Sequence, residues 1–180
     1  MRATWQGMSL LSRIFPKAFS AAPDPREALR PAWHAVVAAA RQPEWYRAGV
    51  ADTIDGRFDM VTAILAAVLL RLERAEGLAQ EQVYLTELFV EDMDGQLREF
   101  GVGDVVVGKR VGKLMSALGG RLSAYRQAAA GDAGAMIEAV ERNMTLRDDA
   151  EIARVAEGLR AFSQRLEAVP EADVLAGRFA

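Results

Sequence analysis

Apolar residues recur every three or four positions along most of the chain from residue 31 onward. In one long stretch the apolar positions that share a single helical face are Phe58, Val61, Leu65, Val68, Leu69 and Leu72. This spacing matches the α-helical period of about 3.6 residues. No stretch shows sustained alternation of apolar and polar residues, and the strand-like run Val105–Val107 is only three residues long. The pattern therefore predicts an all-α fold.

Prolines, glycines and capping residues divide this pattern into helices. We predict six helices, near residues 31–41, 53–77, 80–100, 104–130, 133–144 and 148–168. Trp45 and Tyr46 fall in the connection after the first helix, where we expect them to anchor the chain to the core. The expected architecture is a single compact helical domain of about six or seven helices, because the chain has 180 residues and one core suits that length.

The first twenty-four residues differ from the rest, since no acidic residue precedes Asp24. Apolar residues recur at helical spacing from Leu10 to Phe19, and two cations lie four positions apart, largely off that apolar face. Such a basic amphipathic segment is typical of contact with an anionic membrane surface. The expected membrane-surface residues are Leu11, Arg13, Ile14, Phe15, Lys17 and Phe19. The alternative is a loose arm, or a helix docked on its own domain. We therefore divide the chain into an arm, residues 1–24, and a helical domain, residues 25–180.

Composition removes several classes of chemistry. The chain has no cysteine and one histidine, His34, so thiolate chemistry and a di-iron site with two Glu-x-x-His motifs are excluded. The longest apolar stretch, Met60–Leu70, is too short to span a bilayer. The net charge of −3 argues against bulk binding to nucleic acid, and no DNA partner is expected. Since no catalytic constellation is present, we expect no enzyme activity, no cofactor and no metal.

The run Phe100–Leu114 imitates a phosphate-binding loop. Gly103, Gly108 and Lys109 match most of the Walker A spacing. A true loop of this kind follows a buried strand, and a Ser or Thr follows its lysine. Here an amphipathic helix precedes the run and Arg110 follows the lysine. We therefore interpret the run as a turn between helices.

The same run predicts a helical hairpin with charged faces. Gly101 suits the end of the third helix and Asp104 suits the N-cap of the fourth. The third helix carries a polar stripe that includes Glu91, Asp94 and Arg98, and the fourth carries Lys109, Arg110 and Lys113. This pattern indicates either a solvated surface, whose ion pairs contribute about 0–1 kcal/mol each, or a docking surface for a partner.

Three blocks of sequence between residues 31 and 128 carry a resemblance to a known family. Their segments are Ala38–Tyr46, Asp52–Met60, Asp92–Asp94, Leu97–Glu99, Gly101–Asp104, Gly108–Lys109, Gly120–Arg121 and Ala124–Tyr125. In these segments the chain resembles the ubiquinol–cytochrome c chaperone family, whereas its acidic C-terminal third is only loosely similar. The resemblance implies an all-helical, non-enzymatic assembly factor whose client is newly made cytochrome b of respiratory complex III, at the inner membrane. Mitochondrial members of the family work with a second small subunit and near ribosomes.

The leading hypothesis is thus a chaperone for cytochrome b or another respiratory membrane protein. We expect it in the cytoplasm, with peripheral contact at the inner membrane. The expected partner-binding residues are Arg57, Asp59, Asp94, Arg98, Asp104, Lys109, Arg110 and Lys113.

Two alternatives remain open at this point. The first is a small-molecule or divalent-metal binding protein that uses the carboxylates Asp55, Asp59, Asp92 and Asp94. The second is a module that contacts the ribosome or RNA through the basic residues Lys109, Arg110, Lys113, Arg121 and Arg126.

Overall fold

The structure is a computed structural model that describes residues 24–99 and 107–180, with side chains described at 24–96 and 112–180. Within these ranges the chain forms a 3-10 turn, Pro25–Leu29, and eight α-helices. The helices are α1 (Arg30–Ala40), α2 (Pro43–Arg47), α3 (Ile54–Glu73), α4 (Ala79–Glu99), α5 (Val107–Ala130), α6 (Ala133–Asn143), α7 (Ile152–Glu167) and α8 (Glu171–Leu175). No strand occurs in these ranges, so the all-α prediction is confirmed.

Helix α3 is the central element of the domain. The Thr53 hydroxyl caps it by accepting a hydrogen bond from the Gly56 amide, at 3.2 Å. Helices α1, α4, α5 and α7 all pack against it. As a consequence α3 is buried on nearly every side, and its fully buried side chains include Met60, Ile64 and Leu65. A helix that is apolar all round is expected at such a central position. In the described part of the chain no helix is long and apolar enough to cross a membrane.

Helices α4 and α5 form the expected antiparallel pair. The connection between them has seven residues, 100–106, and a connection this short favours antiparallel neighbours. Met93 near the end of α4 lines one pocket with Leu114 near the start of α5. Val83, near the start of α4, lines a second pocket with Leu122, which lies further along α5. The predicted end of the third helix at Gly101 and the Asp104 cap lie outside the described residues.

The α6–α7 connection is held against the connection between α2 and α3 by backbone hydrogen bonds. The amide of Ala51 donates to the carbonyl of Thr145 at 3.0 Å, and the amide of Arg147 donates to the carbonyl of Gly49 at 2.8 Å. Gly49 has a φ of 120°, and a Cβ there would lie 2.3 Å from the Cα of Ala150. Only glycine allows the two backbones to approach this closely.

The structure adds two short helices that the sequence pattern did not predict, α2 and α8. Trp45 and Tyr46 lie within α2, not in an irregular connection. The indole Nε1 of Trp45 donates to the carbonyl of Ala39 at 2.8 Å, and the Tyr46 hydroxyl donates to the carbonyl of Ala40 at 3.1 Å. These bonds satisfy carbonyls at the end of α1 that have no partner within the helix. Both aromatic side chains are half-buried against the core, as anchors.

Gly56 provides a test of the packing at the start of α3. A Cβ at Gly56 would lie 2.0 Å from the carbonyl oxygen of Ala51, whereas nothing lies within 4 Å of a Cβ at Gly119 in α5. We expect Gly56→Ala to lower the free energy of unfolding by about 1–3 kcal/mol, because backbone must move. Gly119→Ala is the matched control and should raise it by about 0.5–1 kcal/mol, since alanine favours a helix. Urea denaturation measures both, and equal changes would contradict this account.

Candidate functional site

A buried ion pair lies where α3, α5 and the α6–α7 connection meet. Asp59 is only 4% exposed, and its Oδ1 accepts a hydrogen bond from Nη2 of Arg121. Its Oδ2 accepts from the amide and the hydroxyl of Thr145, at 2.8 and 2.7 Å. The Arg121 guanidinium also lies over the Phe58 ring, 5.1 Å from its centroid, and donates through Nε to the carbonyl of Asn143 at 3.3 Å. The carboxylate thus joins three parts of the chain.

This arrangement changes the interpretation of two residues. Asp59 was expected on an exposed partner-binding surface or among metal-binding carboxylates, but it is buried and its oxygens are engaged inside the domain. Arg121 was expected on a basic surface facing RNA, but it serves the same ion pair. Arg126, from the same expected surface, pairs with Glu73 at 2.7 Å on the exposed side. The buried pair is therefore a contact within the domain, and removal of either partner would leave an uncompensated buried charge.

One of the expected partner-binding residues, Arg57, lines a small apolar pocket at the start of α3. We call it the Ile54 pocket; its volume is about 240 Å³ and it is lined by Arg41, Ile54, Asp55, Arg57, Phe58, Val61, Met93, Gln96 and Leu114. Asp94 and Lys113 are next in sequence to the lining residues Met93 and Leu114, but they are not themselves part of the lining. Lys113 is exposed. The start of α3 and the two helices of the hairpin thus meet at this pocket, and contact of Arg57, Asp94 and Lys113 with a partner stays a prediction.

The remaining expected residues cannot be placed in the same way. Asp104 lies outside the described residues, and so do the side chains of Arg98, Lys109 and Arg110. The expected membrane-surface residues of the arm also lie outside the described part of the chain; they are Leu11, Arg13, Ile14, Phe15, Lys17 and Phe19. Contact of these residues with a partner or with lipid stays a prediction.

An arginine-rich cleft adjoins the Ile54 pocket and was not predicted. Its volume is about 590 Å³, and it is lined by Arg41, Pro43, Tyr46, Arg47, Asp52, Arg57 and Arg147. Arg41 and Arg57 line both the cleft and the pocket. Arg57 donates to Asp52 at 2.5 Å, which lowers the pKa of that carboxyl, and partial burial raises the pKa of Tyr46. The arginines come from four separate segments, so no local motif reveals them.

A second apolar surface, which we call the hairpin groove, lies between α4 and α5. It measures about 740 Å³ and is lined by Arg26, Leu69, Ala79, Gln82, Val83, Thr86, Glu87, Val90, Glu91, Met115 and Leu122. Val83 is 48% exposed and Met115 is 44% exposed. Large apolar side chains that are exposed together mark surfaces of interaction.

The described residues do not assemble a metal site. Across residues 24–96 and 112–180, no group of three or more His, Asp or Glu side chains is placed to hold a metal ion. Of the carboxylates considered above, Asp59 is engaged by Arg121 and Thr145, and Asp55 is exposed at the start of α3. No observation in this part of the chain favours the divalent-metal alternative.

Comparison with known proteins identifies the family of this chain. The family model described as ubiquinol–cytochrome C chaperone matches residues 47–180. The chain belongs to this chaperone family. The match reaches residue 180, so the acidic C-terminal third that we expected to be only loosely similar is an integral part of the family domain. Family membership supports a role as a chaperone in assembly.

A solved structure supports the same assignment. The crystal structure of the Cbp3 homolog from Brucella abortus is 30% identical to this chaperone-family chain. The likeness covers 86% of this chain and 88% of that one, with a TM-score of 0.74. Among curated proteins, none matches the chain. The shared fold therefore extends over most of both chains and includes much more than the hairpin.

The buried ion pair gives a testable stability difference. Asp59→Ala would leave the largely buried Arg121 guanidinium without its carboxylate, so we expect the free energy of unfolding to fall by about 3–5 kcal/mol. Glu73→Ala removes the exposed pair with Arg126, whose side chains are 50% and 48% exposed, and should cost at most about 1 kcal/mol. Urea denaturation followed by circular dichroism measures both variants. Similar losses of unfolding free energy in the two variants would show that the buried pair contributes no more to stability than the exposed pair.

Proposed function

We propose that this protein is a non-enzymatic chaperone that binds newly made cytochrome b during assembly of respiratory complex III. Membership of the ubiquinol–cytochrome C chaperone family supports the assembly role. The observation that carries the proposed contact is the Ile54 pocket, an apolar surface whose rim includes the expected partner-binding residue Arg57. We expect binding at the cytoplasmic side of the inner membrane, where a membrane protein is inserted.

The pocket combines an apolar centre with a charged rim. Ile54 is 52% exposed, and the partly or fully buried side chains of Phe58, Val61, Met93 and Leu114 form the wall beside it. Arg41, Asp55 and Arg57 supply charge at the rim. Protein–protein interfaces have this arrangement, because apolar side chains supply binding energy and polar groups at the rim remain hydrated.

This chemistry suits a membrane protein before insertion. Such a client presents apolar helical segments to water, and transfer of one apolar side chain into a protein pocket contributes about 1.5–3 kcal/mol. The guanidinium groups of Arg41 and Arg57 are suited to the carbonyl oxygens at the end of a client helix, since cations are stabilised near helix C-termini. A small contact of this kind is reversible, as required of a chaperone that must release its client.

The contact is tested with two single substitutions on exposed apolar residues of similar accessibility. Ile54→Asp places a charge in the pocket, whereas Val83→Asp places one in the hairpin groove. Each tagged variant replaces the native protein in cells, and cytochrome b is quantified after purification from solubilised membranes. We expect Ile54→Asp to lower the captured cytochrome b by about tenfold or more, corresponding to a loss of about 1.4 kcal/mol or more. Val83→Asp should capture at least as much as the wild type.

Two results would contradict the proposal in different ways. If the wild-type protein captures no cytochrome b and its deletion leaves complex III intact, the proposed client is wrong. If both variants capture as much as the wild type, the client is right but the Ile54 pocket is not its site. Circular dichroism of the purified variants shows that each is folded, which is expected since both residues lie about half exposed on helices.

A further inference from the structure

The hairpin groove is an apolar surface that none of the described helices covers. Its apolar lining comes from three helices: Leu69 on α3, Val83 and Val90 on α4, and Met115 and Leu122 on α5. Its edge carries two exposed acids one turn apart on α4, Glu87 and Glu91, and one cation, Arg26, so the charged groups of the lining are net negative. Arg26 and Arg30 lie 3.0 and 3.6 Å from the Glu91 carboxylate, whereas Glu87 has only Arg26 near it among the described side chains, at 4.0 Å. A ligand for this groove therefore needs an apolar face and, beside it, positive charges spaced by one helical turn.

The chain enters the described domain at the edge of this groove. The Asp24 carboxylate accepts from the amide and guanidinium of Arg26, at 3.0 and 2.6 Å, and these bonds lower the pKa of Asp24 to about 2. Nη1 of Arg26 lies 3.0 Å from Oε2 of Glu91, and Arg26 is itself part of the groove lining. Asp24, the first described residue, therefore lies close to the groove.

The amphipathic segment of the arm has the features that the groove requires. Its apolar positions from Leu10 to Phe19 follow a helical period, and Arg13 and Lys17 are four residues apart, the same spacing as Glu87 and Glu91. Ten helical residues span about 15 Å, close to the length of the α4 section that lines the groove. Four residues, 20–23, separate this segment from Asp24. When extended, they allow Phe19 to lie up to about 17 Å from Asp24, which is enough to lay the segment along the groove.

We propose that residues 10–19 bind the hairpin groove of their own chain. Leu11, Ile14 and Phe15 contact the apolar lining, and the two cations approach the two acids of α4. The tether strengthens this contact, because a short linker gives an effective concentration in the millimolar range. The apolar stripe of the arm cannot bind the groove and a membrane at the same time, so docking keeps the arm off lipid until it is displaced. The inference goes beyond the proposed function and does not depend on the identity of the client.

Cross-linking of paired cysteines tests the proposal directly, since the chain has no native cysteine. The test pair is Ile14→Cys with Met115→Cys, which lies in the groove. The control pair is Ile14→Cys with Ile54→Cys. Ile54 is about as exposed as Met115. It lies outside the groove, fifteen residues along α3 from the groove residue Leu69, which corresponds to about 22 Å. With a short bis-maleimide, the full chain should give an intramolecular cross-link in the test pair at least about tenfold faster than in the control pair. Adding Leu11→Asp and Phe15→Asp to the test pair should remove that difference.

Several outcomes would overturn the inference. Equal rates in the test and control pairs would show that the arm has no preferred position on the domain. A cross-link that joins two chains and grows with protein concentration would show that a second copy occupies the groove. Failure to cross-link, together with sedimentation on phosphatidylglycerol vesicles that is lost in Phe15→Asp, would identify the membrane as the site of the arm. Unlike the capture of cytochrome b, none of these measurements requires the client, so the two proposals fail independently.

Discussion

The buried carboxylate of Asp59 is the interaction on which the arrangement of the domain depends. Its two oxygens are shared between Arg121 on α5 and Thr145 in the α6–α7 connection, while its backbone belongs to the central helix α3. A buried charge is costly unless it is paired and hydrogen-bonded. The packing of these three segments that keeps the bonds to Asp59 is therefore favoured over packings that would break them. The Ile54 pocket and the hairpin groove are both built from α3, α4 and α5, and their shapes follow from that packing.

The Ile54 pocket and the hairpin groove are formed by the same helices but share no lining residue. The Ile54 pocket lies at the start of α3 beside an arginine-rich cleft, whereas the hairpin groove lies further along α3 and is edged by acids. The two apolar surfaces thus carry rims of different charge. Under the two proposals, this difference in charge would let one domain discriminate between an external client and its own basic arm, because electrostatic complementarity sets the choice of partner more than the total affinity.

Much of the fold could be predicted from the local sequence pattern. Less of the candidate binding site could be predicted in this way. The six long helices follow from apolar residues at helical spacing. Thr53 caps the central one as predicted, but that helix ends at Glu73, four residues before its predicted end at Gly77. The five-residue helices α2 and α8 were missed, because they are too short for a periodic signal and depend on contacts such as those of Trp45 and Tyr46 with the end of α1. Asp59 was misplaced because a carboxylate at the edge of an apolar stripe is usually solvated unless a distant cation meets it.

The sequence by itself determined the helical class, the approximate positions of the long helices, the hairpin and the resemblance to an assembly family, because each depends on residues that are close together in the chain. Tertiary structure alone decided which charges are buried and which are exposed. Asp59 and Arg121 are 62 positions apart, and the arginines of the cleft come from four segments. Such pairings depend on how helices pack, and helix packing is governed by the shape of the whole core and not by local spacing.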